Sequence, residues 1–483
     1  MKMAIVGAGL SGATLVNEFV NHPTINKLQI DVYEPRDLLC VGQAYQPDTD
    51  EAILNLHAQD VSVKPDDPSD ALKWLDEYYP SYANPHTFLP RSIYGEYLID
   101  RLGGAFKHPH VHVIQHDIKD LKIDGTKYYL QSHHELWSDA YDAVFLCIGH
   151  PPYADYYELA GQPNFIQNPF PIQEKLQHIH STQRVGIIGT SLSAMDALKF
   201  LVHHAQFDEP VQLLSHINIP FNSIKKPRDL GEIYSAINHN WIDSQVKKWG
   251  HLPLNQFIKT LKSDLKENQI DLEQLKISES MGSLKSVEAA LEHDEPEINK
   301  LQSYIVYLNQ FFPDLYQALT PSDRDRYEQD YAPKFNRYLS QIPAESFDVF
   351  FKAYHQGQVN LVSNIQSIDI QDDKNFLVTT QENKQIAVDL LINTAGFEFD
   401  VTRAAHHDPF VKNLYDREII TPYYRGGIHV SWPNCEVIRP RSGRQPNLYL
   451  LGHWISKIQY ANNNILLIQQ KARELARNLI NQL

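Results

Sequence analysis

Near the start of the chain the sequence runs AIVGAGLSGATL: a short apolar run, Ala4 to Val6, then Gly7, Gly9 and Gly12 in the order G-x-G-x-x-G. Apolar residues continue from Ala13 to Val20 at helical spacing. This order of strand, glycine turn and helix leaves a chain few folds to adopt. Gly7 permits a tight turn, Gly9 lets the main chain approach a diphosphate without a Cβ, and Gly12 lets the helix pack closely on the strand. The amide groups at the helix start, flanked by Ala8, Leu10 and Ser11, then face negative charge. A second apolar strand, LQIDVYEP, ends at Glu34. This is about 20 residues past the last glycine, where an acid accepts hydrogen bonds from ribose hydroxyls and repels a 2′-phosphate.

A second, altered copy of the pattern occurs at RVGIIGTSLSAMDAL. RVGII reads as a buried strand, and Leu192, Met195, Leu198 and Leu201 give helical spacing over Ser191 to Val202. Between them Gly189, Thr190, Ser191 and Ala194 form G-x-S-x-x-A. Serine is small and its hydroxyl can donate to a phosphate, while alanine is tolerated at the third position. The next strand, PVQLLSH, ends in Ser215 and His216 with no acid, and Lys225, Lys226 and Arg228 follow. That favours NADPH over NADH. The alternative is a turn kept only for packing.

The segments GQAYQPDTDEAILNLHAQDVSVKPDDPSDALKWL, FLPRSIYGEYL, DAVFLCIGHPP, LTPSDRDRYEQDYAPKFNRYLSQIP, VDLLINTAGF and PNLYLLGHW, with the two turns, resemble the bacterial FAD/NAD(P)-binding protein family. That family is related to the flavin-dependent N-hydroxylating and Baeyer–Villiger monooxygenases. The resemblance implies FAD on the first turn, with Gly42, Asn55 and Arg91 at positions near the flavin. Arg91 could equally form a structural salt bridge. It also implies that Gly149 and Gly396, at the ends of AVFLCIG and DLLINTAG, lie near cofactor phosphates or crossover loops, and that Gly452 ends the last strand. His216 stands where relatives often carry an arginine. A closing helix capped from Asn462 to Asn464 would aim at the pyrimidine end of the flavin, or would simply close the fold.

The implied fold class is α/β, with two Rossmann-like dinucleotide-binding domains and a helical insertion. Residues 1–160 and 397–483 would form a discontinuous FAD domain, and 161–228 and 350–396 an NAD(P)H domain. Residues 229–349, with Leu254, Phe257, Ile258, Leu261 and Leu265 and then Leu301, Tyr304, Leu308, Phe311 and Leu315 at helical spacing, would form the insertion. It would cover the substrate, shield a sheet face or make a homodimer contact.

Composition narrows the partners. A formal charge of −16 over 483 residues argues against nucleic acid and anionic membranes. Cys40, Cys147 and Cys435 are too far apart for a CxxC redox pair, which excludes disulfide reductase chemistry and predicts a reduced, cytosolic setting. No apolar run approaches a membrane span, and MKMAIV passes at once into the glycine turn, so it reads as a strand and not as an export signal. The 23 histidines, including the pairs at 133–134, 203–204 and 406–407 and the HPHVH run, lack metal-ligand spacing, so no metal site is expected. His150 and His453 each follow a strand-end glycine and receive no catalytic role.

Two adjacent nucleotide sites answer one chemical need, the passage of hydride from a nicotinamide to a flavin. The expected function is an FAD-dependent NAD(P)H oxidoreductase, foremost a single-component monooxygenase that activates O2 through a flavin C4a-(hydro)peroxide and oxidises a small soluble substrate. Baeyer–Villiger activity is disfavoured because NFIQNPFPIQ stands where F-x-G-x-x-x-H-x-x-x-W would be. The alternatives are a flavin oxidase or reductase without oxygen insertion, and a flavin-binding protein without turnover. No catalytic side chain is singled out.

Overall fold

Both predicted turns leave an interior strand that is paired in parallel on each side. The computed structural model describes residues 1–133, 136–225, 233–271, 282–293, 296–371, 375–460 and 464–482. Lys226, Arg228, Asn462 and Asn463 therefore lie outside the described residues. The chain divides into two units, Met1–Pro47 with Leu56–Ala154 and Phe397–Leu483, and Asp48–Asn55 with Asp155–Gly396.

In the first unit Lys2–Val6 pairs in parallel with Gln29–Tyr33 on one side and Ala143–Leu146 on the other. The six strands run in the order Glu436–Arg439, Gly443–Leu450, Ala143–Leu146, Lys2–Val6, Gln29–Tyr33, Val111–Ile114. Met3, Ala4 and Ile5 have no exposed surface, as a strand covered by helices on both faces requires. Strand order reverses beside Lys2–Val6, which is where open α/β sheets form their ligand crevice. The helix Leu10–Val20 follows at once and buries Leu15, Val16 and Phe19. It packs against the closing helix Ile465–Ile480, where Glu18 meets Arg473 at 3.3 Å. Asn464 caps that closing helix, its side chain accepting from the Leu466 N–H at 2.8 Å.

The second unit repeats this plan. Its sheet runs Val359–Val362, Val211–Leu214, Val185–Ile188, Leu390–Asn393, Phe165–Ile166, all parallel. The helix Leu192–His204 follows the central strand. The fold class is therefore α/β, with two Rossmann-like domains.

The described residues between the strands Val211–Leu214 and Val359–Val362 are mostly helical, from His239–Trp249 through Ala344–His355. Leu254, Phe257, Ile258, Leu261 and Leu265 bury one face of the helix Leu254–Glu267, as their spacing predicts. The second run does not form one helix. It divides into Pro296–Asn309 and Phe312–Ala318, because Pro313 lacks an N–H and its ring clashes with the carbonyl four residues back, that of Asn309.

The last helix, Ala344–His355, crosses the expected insertion boundary and packs against Leu192–His204. Its Phe347 and Phe350 are fully buried in one core with Val185, Ile187, Leu198 and Leu213. Burying each such side chain contributes about 1.5–3 kcal/mol. Phe347 also meets the edge of Phe221 at 5.4 Å between ring centroids. Phe347→Ala is accordingly expected to lower stability by about 3–5 kcal/mol in urea unfolding; a change below about 1 kcal/mol would contradict this packing.

Candidate functional site

At the first turn every glycine has a steric reason. Gly7 sits at φ +97°, a conformation that side chains rarely adopt, and a Cβ there would stand 2.2 Å from the Cys147 carbonyl oxygen. Its N–H donates to the Tyr33 carbonyl at 2.8 Å, tying the turn to the neighbouring strand. A Cβ on Gly12 would fall 2.0 Å from the Gly7 carbonyl oxygen, so only glycine lets the helix lie this close.

Gly9 is the N-cap of the helix, in extended geometry at φ −71° and ψ −166°, and no side chain caps the first-turn amides that begin at Leu10 and Ser11. A Cβ on Gly9 would stand 3.3 Å from the Gly42 Cα, and Gly42 is itself at φ +56°. The Cys40 N–H donates to the Ala8 carbonyl at 2.8 Å and draws this loop over the turn. The turn is thus a main-chain surface bounded by two glycines, and it suits a diphosphate.

Glu34 ends the second strand and is 3% exposed. Its carboxylate accepts from the Ala8 N–H at 3.0 Å and from Arg36 Nε at 2.8 Å. Gly149 and Gly452, after the two strands on the other side, are both left-handed, at φ +77° and +96°. A Cβ on Gly452 would lie 3.6 Å from the Gly149 carbonyl oxygen and 3.8 Å from Ser11 Oγ, whereas the space around the Gly149 Cα is open. Gly7, Ala8, Gly9, Ser11, Gly12, Glu34, Gly42, Gly149 and Gly452 therefore converge on one sheet edge.

Arg91 begins the helix Arg91–Leu102 and acts on Tyr45 and Tyr153. Burial pushes both tyrosine hydroxyls up to about 12, and the nearby arginine charge opposes the shift. Asn55 is exposed in the strand Ile53–His57, with its carbonyl accepting from Lys225 Nζ at 2.8 Å.

Sequence reasoning named His150 and His453 beside these glycines but not the aromatic rings that join them. Phe397 stands against His150, Tyr153 and His453 at 4.3, 4.9 and 4.8 Å between centroids. Phe399 meets His453 at 5.2 Å. Burial holds His150 below the ordinary histidine range, so it is neutral near pH 7, with Nδ1 2.7 Å from the Pro151 carbonyl. These contacts join three distant parts of the chain, and no local spacing announces them. Arg36 was also missed, although EPR places a basic residue beside the acid.

The second turn has the same main-chain form. Gly189 is at φ +117°, its N–H donates to the Leu214 carbonyl at 2.8 Å, and a Cβ would stand 2.9 Å from the Thr394 carbonyl oxygen. Ser191 replaces Gly9 as N-cap at φ −97° and ψ −163°, exposed and not capping the helix with its hydroxyl. Ala194 is fully buried in the Gly12 position. Thr190 Oγ1 donates to the Pro220 carbonyl at 2.5 Å and holds the following loop. Ser215 is buried at the strand end, with its hydroxyl donating to the Ile217 carbonyl at 3.0 Å, and His216 is exposed. Gly396, at φ +93° with open space around it, closes the unit. Among the described residues no three His, Cys, Asp or Glu side chains gather as a metal site, and no helix is long and apolar enough to cross a membrane.

Residues 4–151 match the model of the FAD-NAD(P)-binding family. No curated protein matches the chain in sequence. Among solved structures it resembles the Kutzneria sp. 744 ornithine N-hydroxylase KtzI at 13% identity and a TM-score of 0.60, with 99% of each chain covered. L-lysine 6-monooxygenase from Pseudomonas syringae gives 14% identity and 0.60, again with 99% of each chain covered. The cadaverine monooxygenase DfoA from Erwinia amylovora gives 12% and 0.57, covering 98% of this chain and 93% of that one. At such identities the likeness establishes a shared fold over the whole length.

The crowding within residues 4–151 separates two left-handed glycines. Gly7→Ala combines backbone strain with overlap on the Cys147 carbonyl and is expected to destabilise by about 2–5 kcal/mol. Gly149→Ala carries the strain alone, about 1–2 kcal/mol. Equal losses in chemical denaturation would contradict the arrangement.

Proposed function

We propose that the chain is an FAD-dependent NAD(P)H oxidoreductase and, within that class, a monooxygenase acting on a small substrate with O2. The observation that carries this reading is the bare main-chain turn at Gly7, Gly9 and Gly12, with a buried acid at the tip of the neighbouring strand. The family match over residues 4–151 supports it. So do solved neighbours, one described with reduced FAD, NADP+ and L-ornithine and another with FAD.

When bound, FAD supplies hydride acceptance from the nicotinamide and activation of oxygen. The protein's own tasks are to bind and orient. Gly9 lets the main chain approach the diphosphate, and the amides from Leu10 to Gly12 offer donors to it. Glu34 orients the adenosine ribose. His150, Phe397 and His453 form an aromatic wall beside Gly149 and Gly452 that keeps water from that side of the crevice.

At the second turn Ser191 presents a hydroxyl and a free helix start to the diphosphate of NAD(P)H. Ser215 and His216 set no carboxylate against a 2′-phosphate, which favours NADPH.

Gly9→Val places a branched side chain against Gly42 where the diphosphate would lie. The expected product is a folded, colourless protein, checked by circular dichroism and flavin absorbance; stoichiometric FAD in that variant would refute the first site. Anaerobic mixing of the yellow protein with NADPH should bleach it, and faster than NADH does. Ser191→Asp sets a negative charge at the second helix start and should slow this reduction about tenfold or more, with FAD retained. Unchanged reduction would count against the second site.

A further inference from the structure

Glu34, the acid at the tip of the second strand, has its acceptor positions filled by the chain itself. Oε2 accepts from the Ala8 N–H at 3.0 Å and from Arg36 Nη2 at 3.2 Å. Oε1 accepts from Arg36 Nε at 2.8 Å and from the Arg36 N–H at 3.3 Å. An ionised carboxylate offers about four acceptor sites, so none is left over. A ribose that donates to Glu34 must therefore displace one of these donors.

The Ala8 N–H is fixed within the turn between Gly7 and Gly9, and the Arg36 N–H follows Pro35 in the main chain. Neither can swing away. The guanidinium can, for it sits on a flexible stem with 38% of the side chain exposed, against 4% for the carboxylate.

We propose that Arg36 is a displaceable counter-ion: its guanidinium fork holds Glu34 and yields that place to the ribose hydroxyls of the incoming dinucleotide. The proposal rests on the reading of the first turn as the FAD site. A buried carboxylate deprived of its cation is strongly destabilising, so the fork shapes the acid for binding. The same fork stabilises only the form of the protein that does not hold the ribose. By linkage, it weakens the ligand by the factor through which it stabilises that form.

The distinction between this role and a static ion pair is measurable. FAD affinity is determined by titration of flavin-stripped protein, and melting temperatures are recorded with and without saturating FAD, for wild type and Arg36→Gln. The expected result is a lower melting temperature for flavin-free Arg36→Gln, an unchanged one for the FAD-saturated variant, and FAD binding tighter by about three- to tenfold. Equal falls in both melting temperatures with unchanged affinity would identify a static pair and overturn the proposal. Weaker FAD binding would overturn it too, by showing that Arg36 grips the cofactor.

Arg36→Lys keeps the charge but loses the fork, and a smaller change in the same direction is expected; it decides the matter if Arg36→Gln does not fold. Failure of wild type to take up FAD would overturn the cofactor reading and this proposal together, whereas uptake with equal affinity overturns this proposal alone.

Discussion

Each glycine turn depends on contact between one main chain and another. After the central strand of each sheet the chain turns beneath the carbonyl that ends the neighbouring strand, that of Cys147 in the first unit and Thr394 in the second. No Cβ fits in either gap, and both glycines take the left-handed conformation. The N–H that follows the strand is donated to the opposite neighbour, to Tyr33 or Leu214. Three strands are thereby locked at one level, and the helix that follows starts from a fixed height. The crevice follows from this restraint rather than from any side chain.

The two turns part company where the helix meets the strand. In the first, the Gly12 Cα lies so near the Gly7 carbonyl that a methyl group would overlap it. In the second, Ala194 occupies that place and is fully buried, so this turn accommodates one more carbon. The loss of glycines there altered packing and left the N-cap conformation almost intact, with Ser191 within about 30° of the Gly9 dihedrals. A sequence pattern that weighs only glycines undervalues such a turn.

What the sequence disclosed was local. The strand, turn and helix order at Gly7 and Gly189, the apolar face from Leu254 to Leu265 and the cap at Asn464 all arise from neighbours within a few residues of one another. Spacing alone misled at Leu301 to Leu315, where the apolar period persists across a break made by Pro313. It was silent on Phe165–Ile166, a strand of two residues that completes the second sheet from a position before the turn in sequence. It also could not join His150 to Phe397 and His453, which meet although they lie far apart in the chain. Arg36 stood in plain view beside Glu34, but only side-chain geometry shows that it fills the acid's acceptor positions.

The first sheet takes its strand Gly443–Leu450 from the far end of the chain, while the second sheet draws every strand from the stretch between. On the ribosome, the order of completion is thus the reverse of the order of emergence. The later-made domain can close while the earlier one still waits, with the Ala143–Leu146 edge bare and the Leu10–Val20 helix lacking its partner. A nascent chain halted near residue 400 would hold the first glycine turn but not the strand Gly443–Leu450 that lies beside Ala143–Leu146.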